Sequence, residues 1–76
     1  MKTDDIKIPA EQFQELLRLY NEFHTAIEPT DPAVVTAEQA FHRLLRTLHE
    51  AHAHSIPFTE FRRFTVRQCV LYLRRN

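Results

Sequence analysis

Apolar residues recur along the chain at intervals of three and four positions, which is the period of an amphipathic helix. The first such stripe contains Phe13, Leu16, Leu17, Tyr20, Phe23, His24 and Ile27. The second contains Ala37, Ala40, Phe41, Leu44, Leu45, Leu48 and Ala51. A third apolar run follows Pro57. We expect helices at about 9–27, 32–54 and 57–75, preceded by a flexible arm at 1–8.

Proline marks the joints between these helices. Pro9 suits the first turn of a helix, because the N–H group that it lacks would have no partner there. The second helix has two candidate starts: the Asp-Pro pair at 31–32, and Thr36, where Thr-Ala-Glu-Gln forms a capping-box pattern. The first and third helices are both entered through Ile-Pro, at 8–9 and 56–57, with phenylalanine five residues after the isoleucine.

Glycine is absent from the 76 residues. Tight β-hairpins and phosphate-binding loops depend on glycine, so the composition disfavours β-rich and nucleotide-binding folds. We predict one all-α domain over residues 1–76, a small antiparallel three-helix bundle with short connections. A chain this short buries a limited core, and with Cys69 as its only cysteine it has no internal disulfide. We therefore predict that homo-oligomerisation completes the bundle.

The third predicted helix is apolar around more of its circumference than two neighbouring helices can cover. One face is expected to enter the core through Phe61, Phe64, Thr65, Gln68, Leu71 and Tyr72. A second apolar arc consists of Val66, Cys69, Val70 and Leu73. The arm could cover this arc, with Ile6 and Ile8 as the filling side chains. We favour association instead, and predict that the second arc is a protein interface.

Charge is divided between the two halves of a chain whose formal net charge is zero. Residues 1–42 contain three basic and eight acidic residues, a net charge of −5, whereas residues 43–76 contain seven arginines and two glutamates, a net charge of +5. Either the halves neutralise each other, within the fold or across a dimer, or the basic end binds an anionic partner. Arg63, Arg67 and Arg74 have helical spacing, which predicts an arginine ridge suited to carboxylates or phosphates.

Histidines and a glutamate cluster near the end of the second helix, namely His49, Glu50, His52 and His54. A zinc-protease helix needs two histidines four residues apart, and Ala53 occupies that position after His49. His49 and His52 remain weak metal candidates, because two ligands are fewer than a structural zinc site requires. Histidine in a last helical turn also interacts favourably with the helix dipole, and this is the interpretation that we adopt.

The sequence contains no recognisable catalytic constellation. Ser55 is the only serine, Cys69 has no identifiable base, and no carboxylate pair is placed for acid–base catalysis. We predict a non-enzymatic module without a cofactor, which binds itself as a homodimer, an acidic protein, or both. The alternatives are a nucleic-acid-associated regulator that uses the arginine ridge and a histidine-dependent metal-binding protein. No segment resembles a signal peptide or a membrane span, so we expect a cytoplasmic protein without a membrane partner.

Overall fold

The computed structural model describes residues 7–75, with side chains through residue 74. Three helices occupy this part of the chain, α1 (Ala10–His24), α2 (Pro32–His52) and α3 (Phe58–Arg75), and it contains no strand. The prediction of an all-α fold is therefore confirmed for the described residues. Most of the arm predicted at 1–8 lies outside the described residues, whereas Ile8 is half-buried against the core.

The two Ile-Pro sequences start their helices through the same backbone hydrogen bonds. The Pro9 carbonyl accepts from the amides of Gln12 and Phe13, at 3.0 and 2.9 Å, and Pro9 is the residue that precedes α1. The Pro57 carbonyl accepts from the third and fourth residues after it, both at 3.0 Å. Because proline fixes its own φ and needs no donor here, it defines where each helix begins.

Helix α2 begins at the Asp-Pro pair and not at the capping-box pattern. The Asp31 side chain accepts a hydrogen bond from the Ala33 amide at 2.8 Å, and Pro32 occupies the first helical position. The Thr36 hydroxyl donates to the Pro32 carbonyl at 2.8 Å, as threonine does inside a helix. The structure thus selects the earlier of the two predicted starts.

Helix α1 ends at His24, three residues before the predicted end. Both the amide and the hydroxyl of Thr25 donate to the Asn21 carbonyl, at 3.3 and 2.7 Å, and Thr25 leaves the helical path. The expectation that Ile27 belongs to the buried stripe is wrong, because its exposed fraction is 93%. His24, which the same stripe included, is also exposed and stacks on Tyr20.

Most of the core lies between α1 and α2, which contact each other more extensively than either contacts α3. The Phe41 ring of α2 lies 5.7 Å from that of Tyr20 and 5.3 Å from that of Phe23, measured between centroids. The buried apolar side chains are Leu16, Leu17, Leu19, Tyr20, Ala37, Phe41, Leu45, Leu48, Ala53, Phe61 and Cys69.

Helix α3 enters this core along an oblique row of side chains. Phe61, Thr65 and Cys69 are fully buried and follow one another at intervals of four residues. Such a row is inclined to the helix axis, so the buried side shifts around α3 from its start to its end. Leu73 continues this row, and Val66 and Val70 lie next to it on the shifted side; all three are half-buried and packed against the core.

This inclination reverses part of the predicted orientation of α3. Leu71 and Tyr72, expected in the core, keep 47% and 42% of their surface exposed. Cys69, expected on an exposed arc, is completely buried. The prediction assumed a buried stripe parallel to the helix axis, whereas the buried row follows the i+4 direction.

Thr65 is the one fully buried polar side chain of the described residues, and its hydroxyl has no hydrogen-bond partner there. An unpaired buried hydroxyl costs about 1–3 kcal/mol, and a nearly isosteric apolar side chain avoids this cost. We expect Thr65→Val to raise the free energy of unfolding by about 1 kcal/mol and the midpoint of thermal unfolding by about 4–8 °C.

Thr65→Ser is the matched control for that substitution, because it keeps the hydroxyl and removes the methyl group. We expect it to lower the free energy of unfolding by about 1 kcal/mol through the lost packing. Guanidinium unfolding followed by circular dichroism measures both variants. A valine variant less stable than the wild type would show that the hydroxyl contributes to the fold.

Candidate interaction surface

The arginine ridge, defined as Arg63, Arg67 and Arg74, lies on the exposed face of α3. Spacings of four and seven residues place its members on one side of the helix, separated by about 6 and about 10 Å along the axis. Within the described residues, none of these guanidinium groups forms an ion pair. The ridge therefore presents three cations to the surroundings of the chain.

Two other arginines, in contrast, have partners inside the fold. Arg18 donates to both carboxylate oxygens of Glu15, at 2.6 and 3.1 Å, and to Glu22 at 3.3 Å. The hydrogen bond from Arg18 lowers the pKa of the Glu15 carboxyl. Arg46 lies over the Phe58 ring, 5.2 Å from its centroid, in cation–π geometry. Neither contact involves the arginine ridge, so no ion pair among the described side chains, residues 7–74, neutralises this ridge.

The predicted apolar interface is only partly accessible. Val66, Val70 and Leu73 are half-buried and pack against the core. Cys69 is excluded from any exposed patch, because its side chain lies wholly inside, and burial raises the pKa of its thiol to about 11. The accessible apolar surface of α3 therefore consists of the exposed parts of Val66, Val70 and Leu73 together with Leu71 and Tyr72.

Leu71 and Tyr72 form an exposed apolar surface, although the sequence predicted both side chains in the core. The Tyr72 ring contacts that of Phe13 edge to face, with centroids 5.9 Å apart. A shallow open groove of about 490 Å³ is lined at this end of α3 by Phe13, Gln68, Leu71, Tyr72 and Arg74. Apolar side chains and one ridge arginine thus share the same surface, a composition typical of protein interfaces.

A second open surface lies between α1 and α2. Two adjoining depressions of about 480 and about 280 Å³ share Leu19 and Ala40, and we call them together the α1–α2 groove. Glu15, Glu22 and Arg18 line its α1 side, and Arg43 lines its α2 side. The groove combines an apolar floor with a rim of two carboxylates and two guanidinium groups.

The histidine cluster serves the joint between α2 and α3. His49 Nε2 donates a hydrogen bond to the Ile56 carbonyl, which fixes the proton on that nitrogen. The His49 ring also packs against Phe58 and Phe61, at 5.4 and 5.5 Å between centroids. His52 is exposed at the end of α2.

Metal binding finds no support in this arrangement. Within residues 7–75, no group of three or more histidine, cysteine, aspartate or glutamate side chains could hold a metal ion. His49 would have to break its bond to Ile56 before Nε2 could bind a metal. The two weak candidates, His49 and His52, therefore form no site within the part of the chain that the structure describes.

The chain has no significant match among protein-family models, curated proteins or solved structures. Each helix within residues 7–75 also falls short of the combined length and hydrophobicity that a membrane crossing requires. The charges, grooves and exposed apolar side chains described above are the features of the chain that bear on its function.

Proposed function

We propose that the chain is a non-enzymatic helical module that binds protein through α3, most simply a second copy of itself. The observation that carries this proposal is the arginine ridge, exposed and without ion pairs among the described residues, beside the exposed Leu71. An antiparallel bundle completed by a homodimer remains our prediction for the assembled form.

The isolated chain carries costs that a protein partner would remove. Arg63 and Arg67 are like charges at i and i+4, which destabilise a helix by about 0.2–0.5 kcal/mol. Leu71 leaves nearly half of its surface in water. Burying the rest of a leucine side chain contributes on the order of 1 kcal/mol. A surface that offers carboxylates and an apolar contact would offset both costs.

Self-association meets little general electrostatic opposition. The formal net charge of the chain is zero, so two copies do not repel one another as a whole. Guanidinium groups form charge-assisted, two-point hydrogen bonds with carboxylates, and such contacts set the orientation of a complex. An acidic protein surface is therefore the partner that this face of α3 favours.

Leu71→Asp is expected to weaken self-association at least tenfold in Kd, because it places a carboxylate in the apolar part of the surface. Sedimentation velocity, or light scattering after size exclusion, should show the wild type above the 9.1 kDa mass of one chain and the variant shifted towards it. Ile27→Asp is the matched control: it changes an apolar residue that is 93% exposed, and should leave the mass unchanged.

Two results would contradict this proposal. A wild type that stays monomeric at high concentration would exclude self-association, and an unchanged mass for Leu71→Asp would exclude this surface. If the monomer instead retarded a DNA or RNA duplex with strong dependence on salt, the arginine ridge would belong to the nucleic-acid alternative.

A further inference from the structure

Three exposed glutamates on α1 repeat the spacing of the arginine ridge on α3. In each set the second residue follows the first by four positions and the third follows the second by seven. All six side chains are exposed. The members of this glutamate ridge are Glu11, Glu15 and Glu22.

We infer that the two ridges are the two halves of one self-complementary contact. In this contact, α3 of one copy lies alongside α1 of a second copy, with the arginine ridge facing the glutamate ridge. A two-fold axis forms the same contact a second time, so a closed dimer uses both ridges of both chains. This inference rests on the proposed self-association and specifies its surface, partner and register.

The ion pairs within the chain favour a second copy as the partner. Glu15 and Glu22 contact Arg18 of their own helix, and no described carboxylate of the glutamate ridge contacts the arginine ridge. Each carboxylate that Arg18 engages can still accept further hydrogen bonds, and Glu11 forms no ion pair with any side chain of residues 7–74. Every chain thus carries both ridges at equal spacing, and among the described side chains no glutamate of one ridge pairs with an arginine of the other.

The spacing also selects the direction in which the helices run. In parallel orientation, Glu11 faces Arg63. At the same register, the second glutamate faces the second arginine of the ridge, and the third glutamate faces the third arginine. In antiparallel orientation with Glu11 opposite Arg74, Arg18 falls opposite Arg67, which places two cations together. The parallel register pairs all three members and avoids this repulsion.

The same orientation brings apolar surface to the α1–α2 groove. When two parallel helices face one another, opposite flanks of their ridges meet. The flank of α3 that then faces the groove carries the half-buried Val70, while the groove floor contains Leu19 and Ala40. Arg18, on the α1 side of the groove, already donates hydrogen bonds to Glu15 and Glu22. The contact is thus a charged seam with an apolar margin.

A charge-exchange experiment on the full chain tests the register. Glu11→Arg and Arg63→Glu should each weaken the dimer about tenfold at low salt, because each places like charges together twice in the two-fold assembly. The chain that carries both substitutions should regain the wild-type Kd within about threefold. Arg62→Glu is the matched control: it makes the same charge change on another face of α3, and should leave the Kd unchanged.

Each other outcome has a defined meaning when Kd is measured by sedimentation. Rescue of Glu11→Arg by Arg74→Glu, and not by Arg63→Glu, would overturn the parallel register. A wild-type dimer that Leu71→Asp dissociates but that neither ridge substitution weakens would overturn this inference and leave the proposed function standing. A wild type that is monomeric would contradict both this inference and the proposed self-association. Circular dichroism of every variant shows that the comparison is made between folded chains.

Discussion

Replacing Phe41 by alanine is expected to unfold the chain at room temperature. Phe41 is 1% exposed and packs against two aromatic rings of α1, those of Tyr20 and Phe23. Removing a buried phenylalanine side chain costs about 3–5 kcal/mol, because apolar burial is lost and a cavity remains. The total stability of a small domain is about 5 kcal/mol, so little or none would be left.

The far-ultraviolet circular dichroism spectrum and its thermal melt measure this effect. Phe41→Leu retains most of the side-chain volume and should remain folded, with a loss of about 1–2 kcal/mol. Ile27→Ala removes an equally apolar side chain from a fully accessible position, and its loss should stay within about 0.5 kcal/mol. A cooperative Phe41→Ala melt close to that of the wild type would show that the α1–α2 contact is not the centre of the core.

Alkaline pH should destabilise the chain through its single cysteine. The pKa of the buried Cys69 thiol is raised by desolvation to about 11, whereas an ordinary thiol ionises near 9.0. The neutral thiol is therefore favoured by folding, and its contribution is fully present below pH 9. As the pH rises from about 9 to about 11, the unfolded chain loses this proton first, and up to about 3 kcal/mol of stability disappears.

Cys69→Ala isolates this contribution. Denaturant unfolding of the wild type and the variant should be measured at pH 8 and pH 11. Because the variant has no thiol to ionise, the stability advantage of the wild type should shrink between these values. Burial, and after it the charge of the neighbouring Cys69 thiolate, raise the pKa of Tyr20. The variant keeps the first cause and loses the second, so the difference between the two proteins reports Cys69 together with its coupling to Tyr20.

A constant difference between the two proteins across this pH range would contradict the desolvated thiol. A second measurement is independent of unfolding equilibria. The native chain should react with a thiol reagent far more slowly than the chain in denaturant, since the thiolate is the reactive form and Cys69 is inaccessible.

Local chemistry along the chain determined the helices and their joints. The absence of glycine, the apolar periodicity and the positions of proline predicted three helices, and the predicted starts lie within one residue of those in the structure. The arginine ridge follows from spacing in the same way, because residues four and seven apart share a helix face wherever that helix lies. The exposure of this ridge depends on where the neighbouring helices lie. The lack of bonded carboxylates among the described residues depends on the same arrangement.

Tertiary packing decided which side of α3 is buried. The sequence shows an apolar surface on α3 that is wider than one contact face. It does not distinguish a buried stripe through Leu71 from a buried row through Cys69. The inclined contact with α1 and α2 buries the row through Thr65 and Cys69, and leaves Leu71 at the surface. Periodicity describes one helix about its own axis, whereas burial depends on the angle at which its neighbours cross it.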